Sequence, residues 1–341
     1  MEAIWEAPAN IALIKYWGKK ELQIPENPSL SFTLSKSRTT TSVKISNTLK
    51  KGSWSFSYEG QSKTSFEPKI QTFFTRIRSL MPFLDEVGIT IDSSNNFPHS
   101  SGISSSASFY SSLALALCDL ESQFEGKHHE NNDFLKRASS LARLGSGSAA
   151  RSVYGKVVTW GESQLQGSSN LFASPLISAI HNDYLEYRDA ILVINSSAKP
   201  MSSSVGHGLM EQNPYSSSRY DEARTNFKEL LQSLESGDKE PFINIVEHEA
   251  QTLHGLILSS KGGSILLKPN TLKAIELIKN HRIETDSKCC FTLDAGPNIH
   301  LLYPNNEKEE IQMLIQNKLE PLCENGRWID DAIGDGPRKV Q

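Results

Sequence analysis

Residues 87–120 constrain the fold more tightly than any other part of the chain. A strand-like run, VGITIDSS (87–94), leads into NNFPHSSGISSSAS (95–108) and then into the apolar, helix-like FYSSLALALCDL (109–120). A turn of small residues that opens a helix leaves backbone N–H groups pointing outward, at the positive end of the helix dipole. That arrangement suits a phosphate. Gly102 permits close backbone approach, and Ser104, Ser105 and Ser106 add hydroxyls for phosphate oxygens or a metal-bound water. The stretch is neither G-x-x-x-x-G-K-[ST] nor G-x-G-x-x-G, so the two common nucleotide fingerprints do not apply. On the residues alone, a serine-rich loop capping a core helix reads equally well.

The chain has 341 residues, enough for two ordinary domains or one large one. Its net charge of −4 argues against a general nucleic-acid binder, since no overall basic field attracts a phosphate backbone. An anionic ligand therefore needs cations focused locally. Cys118, Cys289, Cys290 and Cys323 show no metal-ligand spacing and read as buried, reduced thiols. With neither a basic-then-apolar start nor a membrane-length apolar run, the expectation is a cytoplasmic protein that contacts no membrane.

The N-terminal segment IWEAPANIALIKYWGKK (4–20) is dense in groups able to touch a ligand: Asn10, Lys15, Tyr16, Trp17 and Lys19. Taken one at a time, these read better as an edge strand with exposed lysines. PSLSFTLS (28–35), TTTSVKIS (39–46) and SWSFSYEG (53–60) alternate as the strands of an antiparallel meander. Ile70, Phe73, Phe74, Ile77 and Leu80 predict an amphipathic helix over 67–81. A polar loop is expected at 123–133, where the paired His128 and His129 read as solvated. Asp133 then caps a helix over 134–145 that Gly145 ends. GSGSAARS (145–152) is a second small-residue turn, closing on Arg151, and a strand follows at 155–162. Two such turns can present phosphate donors to one cleft, with Arg151 adding a charge-assisted contact.

A domain boundary is expected within the irregular stretch 163–188, giving domains 1–185 and 186–341. The second half restarts with a buried strand at 189–197, then the hydroxyl-rich KPMSSSVGH (199–207), then helices over 216–237, 238–260 and 270–282. KCCFTLDAGPNIHLLYP (288–304) reads as strand, tight turn, strand, with Asp294 at the mouth of the turn. A last helix covers 307–319, and the DGPRKVQ tail is expected to be loose. Lys15, Lys19, Arg151 and Lys199, the polar turns and one acid suit phosphoryl transfer to an anionic acceptor, which needs positioning, charge neutralisation and a group acting on the acceptor hydroxyl. Asp294 fits that last role, and an Asp before Ala-Gly-Pro is also a good turn former.

Four separated segments carry a family resemblance: APANIALIKYWGKK (7–20), NNFPHSSGISSSAS (95–108), ARLGSGSAARSVYG (142–155) and TLDAGPNIHLLY (292–303). SLSFTLS (29–35) and KPMSSSVG (199–206) add support. Together they resemble the diphosphomevalonate decarboxylases of the GHMP kinase superfamily. The resemblance implies a two-domain α+β fold, with a ribosomal protein S5 domain 2-like N-terminal half and a ferredoxin-like C-terminal half. It implies ATP and Mg²⁺ as cofactors, mevalonate 5-diphosphate as substrate, and a homodimer. The implied reaction phosphorylates the tertiary 3-hydroxyl and then loses phosphate and CO₂ to give isopentenyl diphosphate.

Position by position, the resemblance implies that Asp294 acts on the 3-hydroxyl, Arg151 holds the substrate carboxylate and Asn10 orients Arg151. Lys15 lies near the transferring phosphoryl group. Tyr16, Lys19, Ser146, Ser148, Ser203 and Ser204 surround the diphosphate. His99, Ser100, Ser101, Gly102, Ser104, Ser105 and Ser106 form the ATP phosphate loop, with Ser106 at the phosphates and the Mg²⁺ they carry. Departures are His99-Ser100-Ser101 where the family has Thr-Ala-Ala, Ala150 where it has Cys, and no arginine near Ser204. Rival readings are a relative acting on mevalonate 5-phosphate, a mevalonate 3-kinase, which Asp294 argues against, and a non-catalytic phospholigand-binding relative.

Overall fold

A computed structural model describes residues 1–97, 105–127, 130–176, 179–197, 201 and 203–340, with the side chains of Ser203 and Ser204 excepted. The fold is α+β and is built on two sheets. The first contains β1 (Glu2–Ile14), β2 (Ser29–Ser46), β3 (Trp54–Tyr58), β4 (Gln61–Ser62), β5 (Gly88–Asn95), β6 (Val157–Trp160) and β7 (Ala173–Pro175). Three helices cover it: α1 (Glu67–Ile77), α2 (Ser105–Glu125) and α3 (Asn131–Gly145). After the short α4 (Asn182–Leu185), the second sheet begins with β8 (Arg188–Leu192). Then come α5 (Ser203–Gly208), α6 (Ser216–Ser236), α7 (Lys239–Ser259), α8 (Pro269–Thr285), β9 (Cys290–Thr292), β10 (Ile299–Tyr303), α9 (Lys308–Leu314), β11 (Trp328–Ala332) and β12 (Arg338–Lys339).

The expected meander is corrected in two respects. Residues 28–35 and 39–46 belong to one strand, β2, of 18 residues. Its first half pairs with β6 and its second with β5. The polar Lys36-Ser37-Arg38 stretch does not turn, because the buried Asp331 carboxylate accepts the backbone N–H groups of Ser35, Lys36 and Ser37 at 2.9, 2.7 and 2.8 Å. The third strand, β3, runs parallel to β5 rather than antiparallel to β2. A parallel pair needs a crossover, and α1, between β3 and β5 in sequence, supplies it.

Three further expectations shift. The N-terminal strand lies between β12 and β2, and Lys15, just past its end, is buried rather than exposed on an edge. Over its described residues, 335–340, the tail is not loose: Lys339 pairs with Trp5, Arg338 with Glu6, and the Lys339 ammonium sits 2.8 Å from Asp119. Helix α3 starts at Asn131 after Glu130, so Asp133 is a first-turn residue and not the cap. There its carboxylate still faces the positive end of the helix dipole. His128 and His129 lie outside the described residues.

Helix α2 packs against the first sheet. Its buried face is mostly Ala, Leu and Ser, and the small side chains let helix and sheet approach until hydroxyls meet. Ser108 lies 2.6 Å from Thr39, and Ser112 lies 2.6 Å from Thr41. Satisfied pairs of this kind cost little to bury. All four cysteines are buried and free, and among the described residues no helix is long and apolar enough to cross a membrane.

Candidate active site

A cleft of about 740 Å³ opens where the end of β1, the start of α2, the 145–151 turn and the 294–295 turn meet. Its lining divides into two chemistries. Phe56, Tyr58, Phe66, Ile70 and Phe109 are apolar, whereas Lys15, Lys19, Ser106, Ser146, Arg151 and Asp294 are polar or charged.

Lys15 follows the last residue of β1 and is 2% exposed. Its ammonium donates to the Ala12 carbonyl at 2.6 Å and lies 3.7 Å from an Asp294 carboxylate oxygen. Burial is the largest influence on it and lowers its pKa to about 8. Asp294 and Glu249 act in the opposite sense, and Arg151 adds to the lowering. The Asp294 turn is held by its backbone. The Asp294 carbonyl accepts from His254 Nε2–H at 3.1 Å and from the Gly296 N–H at 2.7 Å, and the Pro297 carbonyl accepts from Thr271 at 2.7 Å. The carboxylate is therefore aimed by an anchored loop.

Arg151 is equally buried, and three side chains brace its guanidinium. It donates to Ser29 Oγ at 2.7 Å, Ser31 Oγ at 3.1 Å and Asn10 Oδ1 at 3.2 Å. Asn10 is fixed in turn by donating to Ser152 Oγ at 2.7 Å and to the Ser148 carbonyl at 3.2 Å. Burial lowers the Arg151 pKa to about 10, which leaves it charged at neutral pH.

The start of α2 meets the 145–152 turn, since Ser106 Oγ lies 3.3 Å from Ser146 Oγ, which lies 3.4 Å from Ser148 Oγ. Gly147 is required at that junction, because a Cβ there would come within 2.6 Å of the Tyr16 ring. Tyr16 packs edge-on against Trp160, and the Lys19 ammonium donates to Gln23 Oε1 at 2.7 Å. Asn10, Lys15, Tyr16, Lys19, Ser106, Ser146, Ser148, Arg151 and Asp294 are thus brought together, and Ser105 lines the cleft beside them. His99, Ser100, Ser101, Gly102, Ser104, Lys199 and the side chains of Ser203 and Ser204 lie outside the described residues.

Sequence reading missed Glu249, which is fully buried on α7. Its carboxylate accepts from the Lys15 backbone N–H at 2.8 Å, from Arg219 at 2.8 and 2.5 Å, and from Asn226 at 2.7 Å. The only signal was its place among mostly apolar buried positions of the helix, which does not name a partner. Glu249 both ties down the strand end bearing Lys15 and favours the charged ammonium. Glu249→Gln keeps an acceptor oxygen but removes the charge, so the Lys15 pKa falls further. The alkaline limb of kcat/KM is expected to move to lower pH by about one unit. A pH–rate profile from pH 6 to 9.5 checks this, and pairing the change with Arg219→Met avoids an unpaired buried guanidinium.

Two mixed layers of helices on sheets, with serines of the α2 start and of the 145–152 turn meeting beside a buried lysine, a buried arginine and a partly exposed aspartate, define an enzyme of the GHMP kinase fold. Residues 7–171 match the diphosphomevalonate decarboxylase-like N-terminal domain, and residues 190–333 match the mevalonate 5-diphosphate decarboxylase C-terminal domain. The chain belongs to the diphosphomevalonate decarboxylase family.

Diphosphomevalonate decarboxylase ERG19 of Gibberella zeae is 29% identical over 326 residues, covering 89% of this chain and 81% of that protein. A structure of MDDEF in complex with MVAPP, AMPPCP and magnesium is 25% identical with a TM-score of 0.86, covering 100% of this chain and 99% of that one. Mevalonate diphosphate decarboxylase from Staphylococcus aureus is 27% identical with a TM-score of 0.84, covering 100% and 98%.

Proposed function

We propose that this cleft carries out the ATP-dependent decarboxylation of mevalonate 5-diphosphate to isopentenyl diphosphate, with ADP, phosphate and CO₂ as the other products. The observation that carries the reading is the convergence of Asp294, Lys15 and the braced Arg151 on one cleft, from distant parts of a chain of this family. In this reading Asp294 accepts the proton of the 3-hydroxyl as its oxygen attacks the transferred phosphoryl group. Lys15, 3.7 Å away, offsets the charge that gathers there. Arg151, oriented by Asn10, pairs with the substrate carboxylate.

A tertiary alcohol is a poor leaving group, and phosphorylation converts it into a good one. The C3–O bond then breaks with its electron pair leaving on phosphate. The C1–C2 bonding pair becomes the new alkene, and C1 departs as CO₂. Tyr16, Lys19, Ser146, Ser148, Ser203 and Ser204 are the proposed diphosphate contacts. His99, Ser100, Ser101, Gly102, Ser104, Ser105 and Ser106 are the proposed ATP contacts.

Mg²⁺ fits this donor set as a companion of the ATP phosphates. Among the described residues no group of three His, Cys, Asp or Glu can hold a metal, and the Ser106 hydroxyl is the side chain best placed to join its shell. Bound there, the ion would neutralise phosphate charge. The second sheet begins at β8, which supports domains 1–185 and 186–341, with the tail returning to the first sheet. A cytoplasmic homodimer, contacting neither nucleic acid nor membrane, completes the proposal.

The deciding experiment is a coupled ADP-release assay with Mg·ATP on mevalonate, its 5-phosphate and its 5-diphosphate, with the organic product identified by mass. Isopentenyl diphosphate from the diphosphate alone is the expected outcome. ADP without CO₂ would indicate a 3-kinase, turnover of the monophosphate alone would change the substrate, and no turnover would point to a binding protein.

A further inference from the structure

We propose that His207, through the Nε2–H of a neutral imidazole, is a binding residue for the terminal phosphate of the substrate's diphosphate group. The proposal rests on the diphosphate reading above. His207 lies near the end of α5 and lines the cleft, although it is only 7% exposed. Its Nδ1 accepts a hydrogen bond from the Gly18 N–H at 3.1 Å. A ring nitrogen that accepts carries no proton, so the proton of the neutral ring is on Nε2.

The donor is held rigidly. The imidazole sits between Tyr16 and Trp17, with ring centroids 4.3 and 4.8 Å away. Gly18 has φ +94°, and a Cβ there would meet the Tyr220 hydroxyl at 2.2 Å, so the N–H that sets the tautomer belongs to a position only glycine tolerates. Among the described residues Nε2 has no hydrogen-bond partner, and it is not one of the sealed polar atoms of the interior. It is a spare donor opening on the cleft.

Its place along the substrate follows from its neighbours. Lys15 and Asp294 mark the reacting end. Residues 16–19 lead away from Lys15, and His207 sits on Gly18 and within electrostatic reach of Lys19. The end of the substrate farthest from C3 is the terminal phosphate. Burial, with Lys19 adding to it, lowers the His207 pKa to about 3. The ring therefore supplies a directed donor without a second cation beside Lys19. A monophosphate ester ends short of this donor, so His207 bears on discrimination between the two esters.

Asparagine and glutamine separate the two ring nitrogens. His207→Asn can still accept from Gly18 but has no donor at the Nε2 position, whereas His207→Gln places its amide N–H near that position. Calorimetric titration of wild type with mevalonate 5-diphosphate and with the 5-phosphate comes first. Failure of wild type to bind the diphosphate more tightly overturns the functional reading and this proposal with it.

Given wild-type binding, His207→Asn is expected to weaken the diphosphate by about tenfold or more, leave the monophosphate within about twofold, and be partly rescued in His207→Gln. Equal weakening of both esters, or no weakening of the diphosphate, would overturn the role of His207 alone. Should both variants fold poorly, imidazole ¹⁵N spectra of wild type give the answer. Inorganic pyrophosphate must shift a neutral Nε2–H histidine that does not titrate between pH 5 and 8. If no such signal moves, the proposal fails.

Discussion

Asp294→Asn is expected to lower kcat by about 10³-fold or more, with ATP and substrate affinities within about threefold of wild type. The change is nearly isosteric and removes the only feature the chemistry needs, an anionic oxygen able to take the proton of the 3-hydroxyl. The turn is also held through its backbone. The Asp294 carbonyl bonds to His254 and Gly296, and the Pro297 carbonyl to Thr271, would all persist. The side chain is 24% exposed, so water replaces what the amide cannot supply. Rapid-quench analysis of a single turnover should find neither ADP nor CO₂ formed at an appreciable rate. ADP without CO₂ would move Asp294 to the second step, and loss of substrate binding would make it a structural part of the turn.

The local patterns were legible because they depend on neighbours in sequence. The helical spacing of Ile70, Phe73, Phe74 and Ile77 buried all four on α1, as the 3.6-residue period requires. Leu80, one step further, is exposed because the helix has by then tightened into a short 3₁₀ turn. The hidden features depend on partners distant in the chain. Nothing in Lys36-Ser37-Arg38 announces that Asp331, almost 300 residues later, will straighten β2 by taking three of its N–H groups. Nor does the tail announce that it will pair with β1.

The site divides the same way. Its cations and acid stand in distinctive local motifs, so Lys15, Arg151 and Asp294 could be singled out before their proximity was known. Their supports could not. Glu249 and Ser29 look like ordinary residues of a helix and a strand, and they act through hydrogen bonds that only the tertiary fold creates. The reading of Lys15 as an exposed edge lysine failed for that reason. It lies just past the end of β1, where its ammonium is buried beside Asp294 from the second half of the chain.

Enclosure of that ammonium leads to the second large effect. Lys15→Met is expected to cut kcat/KM by about 10³-fold while raising the melting temperature at pH 7. Burial lowers the pKa of Lys15 from 10.5 to about 8 even after Asp294 and Glu249 have pulled it upward. At about 1.36 kcal/mol per unit, that is roughly 3 kcal/mol by which the folded protein disfavours the charge relative to the unfolded chain. The folded-state pKa lies below the unfolded one, so between about pH 8 and pH 10.5 the unfolded chain holds the extra proton. Wild-type stability therefore rises with pH across that window, and below it the charge is a full burden on folding. Methionine fills the same channel with no charge, at the expense of the bond to Ala12 and of a cation near the partly hydrated Asp294. The variant should melt several degrees above wild type at pH 7, roughly 3–6 °C, and the gap should close as the pH approaches 10. Calorimetric scans at pH 7, 8.5 and 10 test this directly. A variant less stable than wild type at pH 7, or a gap that ignores pH, would mean that the ion pair with Asp294 outweighs the burial of the ammonium, and that Lys15 is held in place at no cost to the fold.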